Sequence, residues 1–261
     1  MNIVEISYIY PKKTNMRRGM FVHQQAKYFV RAGNGVDFIT TRSYGDKKEE
    51  VMDGVKIHRV SSIDHWKPVA GILFIINAIR ELSRLNKEKH IDLVIGQFLG
   101  SVTIFVGLYL KLINKRFVVV SHCSKWELQD SNWVVRFLVT LSLYLPEKVI
   151  CCSRKNKEIL GRRINKSKLH VINHGMDPEQ LVPSKTAGQF KKELGIDKKK
   201  LVVLTVGNFV SKKGIDVIIK AISNVSKKFP DLAHFIIGEG PDEEKLKNLV
   251  NDLKLKDKVR F

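Results

Sequence analysis

Signatures for disulfides, metals and nucleophiles are missing from this 261-residue chain, and each absence removes a class of function. Its three cysteines, Cys123, Cys151 and Cys152, are odd in number and form no CxxC, which fits a reducing compartment without structural disulfides. Cys151 and Cys152 close an apolar run and read as small core residues. The eight histidines are dispersed, with no HxH or HExxH pair, so no metal site is expected. There is no GxSxG elbow, no GxGxxG fingerprint and no GxxxxGK[ST] loop. Long hydrophobic runs are lacking too. The longest, Phe98 to Ile113, is interrupted by Gly100, Ser101, Gly107 and Lys111; it is too short to span a bilayer and reads as a buried helix. Met1 leads straight into the strand-like Ile3–Ile6 without a basic region and cleavage site, so no secretory leader is expected and a cytoplasmic location is.

Acid is scarce. Lys and Arg number 46 against 26 Asp and Glu, a formal net charge of +20. Such an excess suits either an anionic partner or a merely solvated lysine-rich surface. The segments before and after Ser184 carry +13 and +7, so the charge is no basic tail. One local concentration stands out: Arg154, Lys155, Lys157, Arg162, Arg163, Lys166 and Lys168, opposed only by Glu158. Aromatics do not interleave with it as they do on nucleic-acid platforms, so nucleic acid is not expected as its partner.

What is present is an alternation. Short apolar runs (2–8, 35–40, 55–60, 92–96, 116–121, 148–152, 168–172) take turns with segments of helical spacing (19–32, 69–89, 101–113, 133–145 and 153–164, the last with Ser153 as its cap). The pattern predicts an α/β fold with parallel strands and helices on both faces. Residues 177–200 are polar, with Pro178, Pro183 and Gly188, and read as a linker. The alternation then restarts at 201–206, 213–228, 234–238 and 242–253, and Val259–Phe261 enters a further strand. Two domains are expected, 1–183 and 184–261, the second incomplete.

Candidate binding residues sit where strands end. Gly207 to Gly214 joins a strand to a helix, a turn that aims backbone N–H groups at an anion, with Lys213 adding a point charge; alone the signal is weak, since a lysine at a helix start is usually just solvated. Gly238 and Gly240 end the next strand, where a plain turn is the alternative. In the first domain the segments 10–19, 97–100, 121–122 and 173–177 should meet at one rim. His122, just after an apolar strand, suits either a sugar hydroxyl or an ordinary structural hydrogen bond.

Six of these segments, in register, resemble the family 4 retaining glycosyltransferases of GT-B fold: Tyr10-Pro11 with Gly19 and Phe21–Ala26; Ala32–Thr40, similar to GHxVxVxT with Asn34 for the histidine; Val149–Ser153, similar to VIxxS; Val171–Asp177, similar to VIPNGVD; Val206–Asp216, similar to VGRLxxxKGxD; and Ile236–Pro241, similar to IxGxGP. The resemblance implies two Rossmann-like domains and transfer of a sugar from a nucleotide diphosphate donor, with retention, no metal and no further cofactor, to a saccharide or lipid-linked acceptor in polysaccharide synthesis. It implies that Lys213, with Gly207, Asn208, Gly238 and Gly240, holds the donor, that Gly19 lets backbone amides approach the diphosphate, and that His122 sits by the transferred sugar. Asn208 stands where an arginine is usual. The family's paired-glutamate motif would lie beyond Phe261, so little transferase activity is expected of the chain by itself. The basic cluster Arg154–Lys168 is the candidate contact with the inner face of an anionic membrane. Two other readings stay open: a non-catalytic basic module that binds nucleic acid or another polyanion, and a relic of a disrupted gene.

Overall fold

Parallel strands cannot be joined by a tight turn, so a chain that alternates strand and helix lays each helix across the sheet it leaves. The computed structural model has this arrangement and describes all residues except 13, 14, 17, 62–66, 123–131 and 176–181. Cys123, Met176 and Asp177 therefore lie outside the described residues. The chain divides into two units, Met1–Met176 and Asp177–Phe261.

The first unit runs β1 (Asn2–Ile6), α1 (Met20–Arg31), β2 (Gly35–Arg42), β3 (Glu49–Met52), β4 (Val55–Ser61), α2 (Lys67–Glu88), β5 (Leu93–Gln97), α3 (Ser101–Leu112), β6 (Phe117–Ser121), α4 (Trp133–Ser142), β7 (Lys148–Cys151), α5 (Arg154–Leu160) and β8 (Leu169–Val171). Its sheet has the order β3-β4-β2-β1-β5-β6-β7-β8 and is parallel throughout except for β3. That edge strand was not foreseen. It returns antiparallel through Asp53-Gly54, both in the left-handed region (φ 49° and 82°), which suits the twist of a tight hairpin. Ser153 caps α5 as expected, its hydroxyl accepting from Asn156 N at 3.1 Å.

One face of the sheet carries the main core, with Phe74, Ala78 and Leu82 of α2, Val106 and Leu110 of α3 and Val139 of α4. The other carries Val22 and Ala26 of α1 against Phe38 and Ile57, beside a smaller cluster of Ile3, Ile95 and Val120. The run expected as a buried helix is only half so. On α3, Ile104, Val106 and Leu110 face inward, while Phe105, Leu108 and Leu112 are exposed. No described helix is long and apolar enough to cross a membrane.

The second unit runs α6 (Ala187–Glu193), β9 (Leu201–Val206), α7 (Ile215–Val225), β10 (Leu232–Ile237), α8 (Glu243–Asp252) and β11 (Val259–Arg260). Its separate sheet has the order β11-β10-β9, all parallel. The core forms where Ile215, Ile219 and Ile222 of α7 and Leu246 and Val250 of α8 meet Leu232 and Ile236. Val202, Leu204 and Val206 of β9 stay exposed.

Candidate active site

In the first sheet the strand order reverses between β1 and β5, and open α/β sheets bind ligands beyond the carboxyl ends of strands at such a point. Here the rim carries a chain of polar contacts. Glu5 of β1 is wholly buried and its Oε2 accepts from Gln97 Nε2 at 2.5 Å. Gln97, last residue of β5, also donates Nε2 to Gln25 Oε1 at 2.9 Å. With its nitrogen so committed, its Oε1 faces His122 Nε2 at 2.8 Å, which assigns the proton to Nε2 and leaves His122 Nδ1 as an acceptor. That Nδ1 lies 3.1 Å from His174 Nε2 and 3.6 Å from Cys152 Sγ.

Burial, with His174 beside it, lowers the His122 pKa to about 3, so the ring is neutral. Burial, eased only in part by the Gln97 bond, pushes Glu5 up to about 8. Phe21 and Phe98 pack on His122 with ring centroids 4.9 and 4.7 Å away. Phe98 is held at φ 87°, a costly conformation for a non-glycine residue, by its N–H bond to Val120 O (2.9 Å) and by Thr103 Oγ1 donating to its carbonyl (2.7 Å).

The rim brings together residues of three of the four segments expected there, 97–100, 121–122 and 173–177, the last described only to Gly175. The fourth, 10–19, is not among the contacts of His122; α1 reaches the rim instead, through Phe21. Gly19 has its own structural reason. It caps α1 at φ 83°, and a Cβ there would meet Tyr10 Cα and N at 2.9 Å. Cys151 is buried as expected, whereas Cys152 opens onto the site; burial first and Cys151 second raise the Cys152 thiol to about 11, so it is not a resting thiolate. His122, Cys152 and His174 place their ligand-capable atoms within 4.8 Å of one another, although the residues lie 30 and 52 positions apart. Dispersal in sequence had argued against such a group. Of the basic cluster, Arg154, Lys155, Arg162 and Arg163 are exposed and Lys157 is half-buried; Lys155 pairs with Glu158 at 3.6 Å.

In the second unit the loops after β9 and β10 interlock. Gly207 N donates to Ile237 O (2.9 Å), Phe209 N to Glu239 O (2.9 Å), and Asp242 N to Phe209 O (3.0 Å). A Cβ at Gly238 would fall 1.9 Å from Gly207 O, and one at Gly240 2.5 Å from Phe209 O. These glycines let two loops touch, a reason beyond a plain turn. Gly207 meets nothing within 4 Å, so its missing Cβ leaves open space. Lys213 is not in the first turn of α7, as expected, but in a 3-10 turn, Ser211–Lys213, ahead of it. Gly214 at φ 64° breaks the helix there, and its carbonyl accepts from Val217 and Ile218 (both 3.1 Å), starting α7 at Ile215. Asn208 and Lys213 are both exposed.

Residues 19–180 match the profile described as Glycosyltransferase Family 4, and residues 187–261 the profile Glycosyl transferases group 1. The chain belongs to glycosyltransferase family 4. An uncharacterized glycosyltransferase of Haemophilus influenzae is 27% identical over 187 residues, 70% of this chain and 48% of that one. One subunit of human phosphatidylinositol N-acetylglucosaminyltransferase is 24% identical over 279 residues, all of this chain and 52% of its own. The chain thus spans about half the length of these relatives. Among solved structures, sucrose-phosphate synthase from Thermosynechococcus elongatus superposes with a TM-score of 0.76 at 16% identity, over all of this chain and 70% of that one. HepE from Anabaena, in complex with UDP and glucose, gives 0.74 at 13%, over all of this chain and 68% of its own. The fold class is the GT-B one of two Rossmann-like units.

Glu5, Gln25 and Gln97 had no named role in the sequence. Gln97 lay in an expected rim segment. Glu5 left a legible signal, a carboxylate inside the apolar run Ile3–Ile6, which burial makes costly unless it is neutral or bonded.

Proposed function

We propose that this glycosyltransferase binds a nucleotide diphosphate-sugar through the β9–α7 and β10–α8 loops of its second unit and transfers the sugar, with retention and without a metal, to a saccharide or lipid-linked acceptor held by the first. What supports this first is that a family profile matches each unit. The amino end of α7 suits the diphosphate, and Lys213 supplies a mobile positive charge for the leaving group. The open space at Gly207 suits close approach of a ligand to the backbone. His122, held neutral with its Nε2–H on Gln97, accepts a hydroxyl hydrogen of the sugar at Nδ1 once His174 is displaced. Asn208 leaves this loop with lysines alone for phosphate charge, so donor affinity and turnover by this chain are expected to be low. HepE, whose structure holds UDP and glucose, supports a uridine diphosphate-sugar as the first donor to try.

The acceptor side includes a membrane contact. Trp133, Phe137, Leu141 and Tyr144 stand exposed at helical spacing along and just past α4. The Tyr144 hydroxyl donates to Arg163 O at 3.0 Å, so this apolar stripe joins the basic cluster. Such a pairing suits an anionic leaflet.

Calorimetric titration with a panel of nucleotide-sugars tests the donor site. Lys213→Ala should weaken the best binder about tenfold, roughly 1.4 kcal/mol. An unchanged affinity in that variant, or oligonucleotide binding tighter than any nucleotide-sugar, would favour the non-catalytic polyanion module instead.

A further inference from the structure

We propose that His122, Cys152 and His174 form a binding site for a borderline-soft divalent cation, zinc being the best fit. This is a site on the first unit and no part of the metal-independent transfer above.

The spacing of the donor atoms is the first argument. A tetrahedral zinc with its usual N and S bond lengths separates two nitrogens by about 3.3 Å and a nitrogen from a sulfur by about 3.6 Å. Here His122 Nδ1 lies 3.1 Å from His174 Nε2 and 3.6 Å from Cys152 Sγ. The second argument is the outer hydrogen bond. A ligating imidazole is normally fixed by its other nitrogen donating to an oxygen. His122 has this in advance, because Gln97 Nε2 is taken by Glu5 and Gln25 and Gln97 Oε1 faces His122 Nε2. The lone pair on Nδ1 is thereby turned toward the other two donors. The third argument is access. His122 and Cys152 are partly buried, His174 is exposed, and Cys152 and His174 line an open cavity of about 840 Å³ that leaves room for water as a fourth ligand.

His122 Nδ1 and His174 Nε2 lie at hydrogen-bond distance, 3.1 Å, so a hydrogen now joins the two nitrogens and the ion takes its place. A small turn of the exposed His174 brings its lone pair onto the metal, with its ring proton moved to Nδ1. Cys152 binds as thiolate, and its thiol proton is the one released to solvent. Two imidazoles and a thiolate with no carboxylate favour zinc or cobalt over magnesium or calcium. Bound metal would occupy the His122 nitrogen assigned above to the sugar hydroxyl; that consequence rests on the proposed transfer role, the site itself does not.

Cobalt(II) titration of the untagged, reduced chain reads the site directly. One equivalent should develop visible d–d bands of a tetrahedral centre and a near-ultraviolet thiolate-to-cobalt band, both removed by zinc and untouched by magnesium. Cys152→Ser should abolish the near-ultraviolet band, and His174→Ala, at an exposed position, should weaken binding about tenfold or more. Gln97→Leu should weaken it about tenfold through the lost outer bond. Cys123→Ser should change nothing. The proposal is overturned by the absence of a tetrahedral spectrum at a tenfold excess of cobalt, by a thiolate band that survives Cys152→Ser, or by one that disappears with Cys123→Ser. None of these readouts needs sugar transfer, so failure here and failure of the transferase reading are told apart.

Discussion

At the scale of single residues, the titratable groups of the first unit set a pH dependence that can be signed. Glu5 is raised by burial to about 8, against an ordinary carboxylate value near 4.5. The folded chain keeps that proton while the unfolded chain loses it, so stability falls as pH rises from 4.5 to 8. Glu5→Gln should remove this slope, on the order of 3 kcal/mol between pH 5 and 8, measured by urea unfolding at both pH values; an unaltered slope would mean Glu5 is ionised in the fold. His58 acts at higher pH. Burial alone would lower it, but bonds to Asp37 (2.8 Å) and Glu81 (3.1 Å) outweigh burial and hold it up at about 9. Its contribution is complete below about 6.5 and is lost as pH climbs through 9. Glu81, lowered by its bond to His58 to about 2, is the opposite case, and its contribution is lost only as pH falls toward 2. Wild-type stability should therefore decline in two overlapping stages as pH rises above about 4.5, and Glu5→Gln should leave only the later one.

At the scale of elements, the loops of the second unit separate two reasons for a glycine. Gly238→Ala forces a methyl against Gly207 O and must open the contact between the β9–α7 and β10–α8 loops. It should cost roughly 2 kcal/mol and lower the unfolding midpoint of the second unit. Gly207→Ala meets only open space, so the fold should keep its stability while nucleotide-sugar affinity drops, because the methyl stands where a ligand approaches the backbone. Equal unfolding midpoints for the two variants would refute the packing argument, and undiminished affinity in Gly207→Ala would remove that loop from the donor site. The 3-10 turn carrying Lys213 belongs here too. Periodicity placed the lysine in the helix, because nothing in hydrophobic spacing announces that Gly214 takes a left-handed conformation and starts the helix at Ile215.

At the scale of the molecule, the chain carries a strong excess of positive charge, and charge alone could not say whether that excess has a partner. The exposed stripe on α4 next to Arg162 and Arg163 narrows the choice. Binding to vesicles containing a third phosphatidylglycerol should exceed binding to neutral vesicles and shift Trp133 fluorescence to the blue, and Phe137→Asp should abolish the shift; no preference for anionic vesicles would return the charge to solvation. The alternation of strands and helices, the parallel sheets, the restart near residue 200 and six family motifs were legible from the chain itself, because 2.0- and 3.6-residue periodicities and strand-ending glycines are local properties. The hairpin strand β3 was not, since four residues, Glu49 to Met52, are too few to leave a periodic trace. Nor were the reasons for Gly238 and Gly240, or the chain of contacts from Glu5 through Gln97 to His122, Cys152 and His174. Those residues are scattered along most of the first unit and meet only because parallel strands end at one edge, and that long-range pairing is what tertiary structure alone decides.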